Sequence, residues 1–167
     1  FSADAAHALF VFVFEGETHI ALMREKTVRA VGTARVGYGI LYAEVARVFS
    51  VGMEEAKEIV RAYRKQELNE STKGIVENAC NAAAKKIVDT VKDTIIGIDS
   101  ANIIPGKIHI ASANAVPEIS MQFVAGEWFK DLPIERNASV SLFPEEKSKG
   151  FVTPFDYMSF DFLTRHH

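Results

Sequence analysis

The stretch Ala8-Leu9-Phe10-Val11-Phe12-Val13-Phe14 constrains the fold more than any other part of the chain. It is a continuous apolar run of strand length, rich in aromatic and β-branched residues. A strand with one wet face alternates apolar and polar residues. This one does not, so both of its faces need cover, and helices are expected on both sides of its sheet. Glu15-Gly16-Glu17 is a turn signal, and Thr18 to Met23 reads as a second strand. Glu25-Lys26 is another polar turn, and Val28 to Val36 alternates roughly as a third strand. Three strands joined by short turns predict an antiparallel meander.

A helical section follows. Over 38–49, Ile40, Leu41, Val45, Val48 and Phe49 fall at helical spacing. Gly52 breaks that pattern. Glu54 and Glu55 then open a short helix that continues through Ala56, Ile59, Val60 and Tyr63, with Arg61, Arg64 and Lys65 near its end. Both charge placements suit the helix dipole. The clearest helix runs from about Ser71 to Ile96. Val76, Cys80, Ala83, Ile87, Val91 and Ile95 make one apolar stripe on it, and Gly97 is a plausible stop. Lys107 to Ser112 reads as a strand, Glu118 to Lys130 as a helix opened by Pro117, and Ser139 to Phe143 as a last strand. The expected order is β-β-β-α-α-α-β-α-β plus an aromatic tail, with no repeat and no dividing linker. Phe143, Phe151, Phe155, Tyr157, Phe160 and Phe162 in that tail either pack on the sheet or form a contact surface.

Composition narrows the function classes. The chain has 167 residues, 48% hydrophobic and 25% charged, enough for one compact domain or two small lobes. A net charge of −3 argues against broad polyanion binding, so no nucleic-acid partner is expected. One cysteine excludes an internal disulfide framework and a Cys-rich zinc site. The longest apolar runs fall short of the roughly 20 residues of a membrane helix, and no signal peptide is visible, so no membrane insertion is expected. Because Phe1 enters a strand-like run almost at once, the start reads as cut. The closing His166-His167 reads as a purification-tag remnant outside a single unit of residues 1–165.

The order of elements, with several local matches, resembles the second lobe of the actin-like ATPase superfamily, in the cell-division FtsA and pilus-assembly PilM branch. The resemblance spans roughly residues 3–163. Its most telling stretch is Ile108 to Trp128, where a strand, a short turn, Pro117 and a helix keep the family's spacing. Phe12-Val13-Phe14-Glu15-Gly16 resembles the end of the family's first strand and its hairpin. Met53-Glu54-Glu55-Ala56 resembles the start of the helix in its small subdomain, placed here at about 50–70. The fold this implies is α/β of the ribonuclease-H-like, actin-like kind: a mixed sheet with a three-strand meander and helices on both faces.

The departures bear on activity. Family members cradle phosphate with an Asp-x-Gly-Gly-Gly-Thr-like turn between strands, where glycines let backbone N–H groups come close. Aligned without a gap, this chain has Ala3 at the aspartate position and Ala5, Ala6 and His7 at the glycine positions, with Asp4 one place off. The second glycine pair, near the nucleoside, is replaced by Ser112-Ala113-Asn114. A Glu/Lys pair beside the adenosine falls at Lys57 and Val60 or Arg61, so its acid is missing. Each added Cβ fills space that phosphate or ribose needs.

The expected function is therefore a non-catalytic scaffold or adaptor lobe in cell division or in pilus or secretion assembly. It would be cytoplasmic, would bind protein partners or self-assemble, and would need no cofactor. Arg61, Arg64 and Lys65 are the candidate partner contacts; taken alone they also read as a solvated helix end. The alternative is the Mg-ATP-binding lobe of an actin-like ATPase or motor whose first lobe is absent, with Asp4 and the 112–114 turn retaining nucleotide contact. Blander readings stand beside the rest. Asp4 is a solvated residue, His109 a structural histidine, Cys80 a small buried hydrophobe. Ser112 lacks the Gly-x-Ser-x-Gly frame of a nucleophile elbow.

Overall fold

The computed structural model describes residues 7–98, 103–112, 132–134 and 139–142. Its strands are β1 (Ala8–Val13), β2 (Thr18–Arg24), β3 (Thr27–Ala34), β4 (Lys107–Ser112) and β5 (Ser139–Leu142). They form one sheet in the order β3-β2-β1-β4-β5. The meander is antiparallel, Val13 pairing Thr18 and Thr18 pairing Ala34. β4 joins β1 in parallel, Leu9 on Ile108 and Val13 on Ser112, and β5 joins β4 in parallel. The apolar run thus became the middle strand, where both edges and both faces are taken.

Helices α1 (Gly39–Phe49), α2 (Met53–Arg64) and α3 (Glu70–Ile98) lie between β3 and β4 in sequence. Among the described residues all three pack on one face, against Leu9, Val11, Val13, Ile20, Leu22, Ile108 and Ile110. The stripe read on α3 is buried at every position, Cys80 included. α3 starts earlier than the apolar pattern suggests, because Asn69 accepts the Thr72 N–H at 2.9 Å through Oδ1, an N-cap worth about 1 kcal/mol. Val48, expected on the apolar side of α1, is 40% exposed; only Leu41 and Val45 are fully buried there.

The second face of the sheet is also buried. Ala8, Phe10, Phe12, Ala21, Met23 and Ala111 form its cluster, with Phe14 at its margin. Phe10 and Phe12 are each 1% exposed, a burial worth about 1.5–3 kcal/mol apiece. His109 stacks on Phe10 at 5.0 Å between ring centroids, in keeping with a structural role in β4. The helix expected over 118–130 and the aromatic tail lie outside the described residues. The expectation of helices on both faces is therefore met, among the described residues, on one.

Candidate functional site

The parallel strands β1, β4 and β5 end on the same side of the sheet, at Val13, Ser112 and Leu142. That is where open α/β sheets form their clefts. The β1–β2 turn and the loop from β3 to α1 meet at this end. The turn closes with the Phe14 N–H on the Glu17 carbonyl at 2.9 Å. The loop then reaches over it: the Tyr38 N–H donates to the Phe14 carbonyl and the Gly39 N–H to the Glu15 carbonyl, each at 2.8 Å. Thr18, fully buried, donates its hydroxyl to the Val36 carbonyl at 2.7 Å.

This clamp explains Gly37-Tyr38-Gly39. A Cβ on Gly37 would overlap the carbonyl oxygens of Phe14 and Glu15, and one on Gly39 would lie 2.8 Å from the Glu15 oxygen. It also explains how α1 begins without a side-chain cap. Of the N–H groups at the helix start, those of Tyr38 and Gly39 go to hairpin carbonyls, and those of Ile40 and Leu41 to the carbonyls of Gly37 and Tyr38. Glycine alternation between the end of β3 and the start of α1 is the sequence signal for this contact.

Beside the clamp lies a pocket of about 380 Å³ between the β1–β2 turn, α1 and α2. One wall carries Tyr38 and Tyr42, edge to face at 6.4 Å, with Glu15 next to them. The other is the α2 face on which Lys57, Arg61, Arg64 and Lys65 recur at helical spacing around Val60. Four cations thus face one carboxylate. Lys57 is bridged to Glu54 at 2.9 Å and Arg61 to Glu58. The Lys57 ammonium is held above its ordinary pKa of 10.5, first by its hydrogen bond to Glu54 and that residue's charge, then by Glu15 and Tyr42; burial opposes this. Such an arrangement can seat an anion against an aromatic wall.

The three partner candidates Arg61, Arg64 and Lys65 are therefore brought together on one rim. Of the nucleotide candidates, the two that are described, His7 and Ser112, are not. His7 is exposed and precedes β1, while Ser112 ends β4 opposite Val13. The six residues of β1 separate those ends by about 20 Å. Asp4, Ala5, Ala6, Ala113 and Asn114 lie outside the described residues. Tyr38, Tyr42 and Glu15 joined the site only through folding, whereas the resemblance already sets Lys57 at the pair beside the adenosine. Among the described residues, no three His, Cys, Asp or Glu side chains gather as a metal set, and no helix is long and apolar enough to cross a membrane.

No protein-family model matches the sequence, and no characterised protein matches it at the sequence level. Solved structures do match the fold. The ethanolamine utilization protein EutJ from Carboxydothermus hydrogenoformans is similar at a TM-score of 0.57 and 18% identity, over 93% of this chain and 50% of its own. PilM in the PilM-PilN type IV pilus biogenesis complex is similar at 0.60 and 14%, over 97% and 47%. ParM of Bacillus thuringiensis, solved with ATP, is similar at 0.58 and 10%, over 100% and 49%. The chain has the mixed α/β fold of an actin-like ATPase lobe, and it spans about half the length of these structures.

Proposed function

We propose that this chain is the second lobe of an actin-like protein that works in assembly through protein contacts and does not hydrolyse nucleotide. One observation carries the reading. In the family it resembles, phosphate is cradled by a glycine-rich turn between strands. The turn that joins the first two described strands here is Phe14-Glu15-Gly16-Glu17, and we take it, rather than residues 3–8, as the counterpart. It keeps one glycine and carries two exposed carboxylates. The nearby N–H groups of Tyr38 and Gly39 are already bonded to its carbonyls. A turn that carries carboxylates, and whose neighbouring Tyr38 and Gly39 N–H groups are already bonded, lacks the glycine-lined backbone donors of a phosphate cradle.

Protein partners fit the rest of the site. The structures of similar fold include PilM in a pilus biogenesis complex, and the α2 rim of Arg61, Arg64 and Lys65 offers cations that suit an acidic segment. Mg-ATP and Mg-ADP calorimetry on the longest soluble form, with both lobes, tests the reading. No saturable binding up to millimolar nucleotide is expected. Micromolar binding would overturn it and favour the ATP-binding alternative, with the Tyr38–Tyr42 wall and the α2 cations as the contacts.

A further inference from the structure

The strand at the edge of the sheet carries a second interaction surface, independent of the basic pocket. Among the described residues no strand pairs with the outer side of β3. An unpaired edge exposes a row of backbone donors and acceptors, and folded proteins commonly blunt it. β3 is eight residues long, and most of its side chains are exposed. Val31 is 65% exposed and Val28 46%, both next to the buried second-face residues Ala21 and Met23 in register.

Its charges select the occupant. From Arg29 the chain reads Arg-Ala-Val-Gly-Thr-Ala-Arg: Val31 and Thr33 alternate on the second face, Arg29 is the extra residue at the bulge between the Leu22–Ala30 and Met23–Val28 pairs, and Arg35 follows the strand's last residue. Ala30 and Gly32 turn to the helix face, where Gly32 leaves the space that Ile98 fills. Arg29 and Arg35 are exposed, and Arg29 meets only a 3.4 Å surface bridge to Glu25. A second copy would bring four arginines, Arg29 and Arg35 from each chain, to the seam. Like charges directly opposed weaken a strand pair, and opposite charges strengthen it.

We propose that β3 takes up an extended acidic segment of a partner protein by strand addition, with carboxylates near Arg29 and Arg35 at the two ends of the paired stretch and an apolar residue opposite Val31. Main-chain hydrogen bonds would supply the pairing, and the arginine pair its selectivity. The probe is the blocked heptapeptide Glu-Thr-Val-Thr-Val-Thr-Glu, titrated into the isotope-labelled full chain and followed by amide chemical shifts. Saturable shifts centred on residues 27–35 are expected, weakened by about tenfold in the double variant Arg29→Glu/Arg35→Glu. A peptide with lysine at both ends should recover binding to that variant, which shows that the variant is folded and that charge sets the choice. The proposal falls if no saturable shifts arise up to millimolar peptide. It also falls if the shifts centre on the α2 pocket, or if the double variant binds the acidic peptide as well as the parent does.

Discussion

The two hairpin turns of the meander are both two residues long, yet they are held in different ways. Between β2 and β3, Glu25 and Lys26 adopt left-handed backbone, at φ 52° and 62°. Paired left-handed residues match the twist of the flanking strands, so this turn closes itself, at the expense of side chains that dislike the conformation. Between β1 and β2, neither Glu15 nor Gly16 is left-handed. That turn does not match the strand twist by itself. It is held from outside by the β3–α1 loop, through the Tyr38, Gly39 and Thr18 hydrogen bonds. One turn is a local device at the far end of the sheet. The other is a tertiary one, and the pocket is built against it.

The largest break in that contrast should come from Gly37→Ala. Backbone oxygens leave no room for the new methyl, so the loop must lift off the turn, and destabilisation above about 3 kcal/mol is expected in urea unfolding. Thr18→Val keeps the shape but leaves the buried Val36 carbonyl without its donor. A loss of about 1–3 kcal/mol should follow in the same assay. At the other turn the sign reverses. Glu25→Asn with Lys26→Gly supplies residues that accept the left-handed region, and a gain of about 1 kcal/mol is expected. If that pair of substitutions destabilises instead, the β2–β3 turn is also held from outside and the contrast fails.

The smallest effect is electrostatic. Lys57 has its pKa raised in the folded chain, so its contribution is fully present below the unfolded value of 10.5 and is lost as pH climbs through the higher folded value. Because the bridge to Glu54 is exposed, Lys57→Met should leave neutral-pH stability unchanged and only flatten the slope of stability above about pH 10. A clear loss at neutral pH would mean that Lys57 supports the clamp through Glu15 rather than lining the pocket alone.

Much of the architecture was legible in the residue pattern. The unbroken run at Ala8–Phe14 required a strand buried on both faces, and the stripe from Val76 to Ile95 required a helix with one buried face. The order of the elements, with the matches at Phe12–Gly16, Met53–Ala56 and Ile108–Trp128, carried the resemblance to an actin-like lobe. These features are local: periodicity and turn chemistry act over a few residues, so a single segment reports them. The site was less legible. Arg61, Arg64 and Lys65 stood out because they share one helix, but their neighbours across the pocket come from a hairpin and a second helix. Whether Tyr38 faces Lys57 depends on how β3 returns to the sheet, and no short window contains that. The same limit governed the nucleotide candidates. Residues 2–8 and 112–114 were aligned by motif, whereas parallel pairing of β1 with β4 sets His7 and Ser112 at opposite ends of the strands. Sequence by itself determined which segments must be strand or helix and which faces must be dry, because each segment carries that requirement in its own side chains. Tertiary structure alone decided that Gly37 must lack a side chain, that a hairpin helps to cap α1, and that β3 is the outermost of the described strands, because each of these depends on atoms brought together from distant parts of the chain.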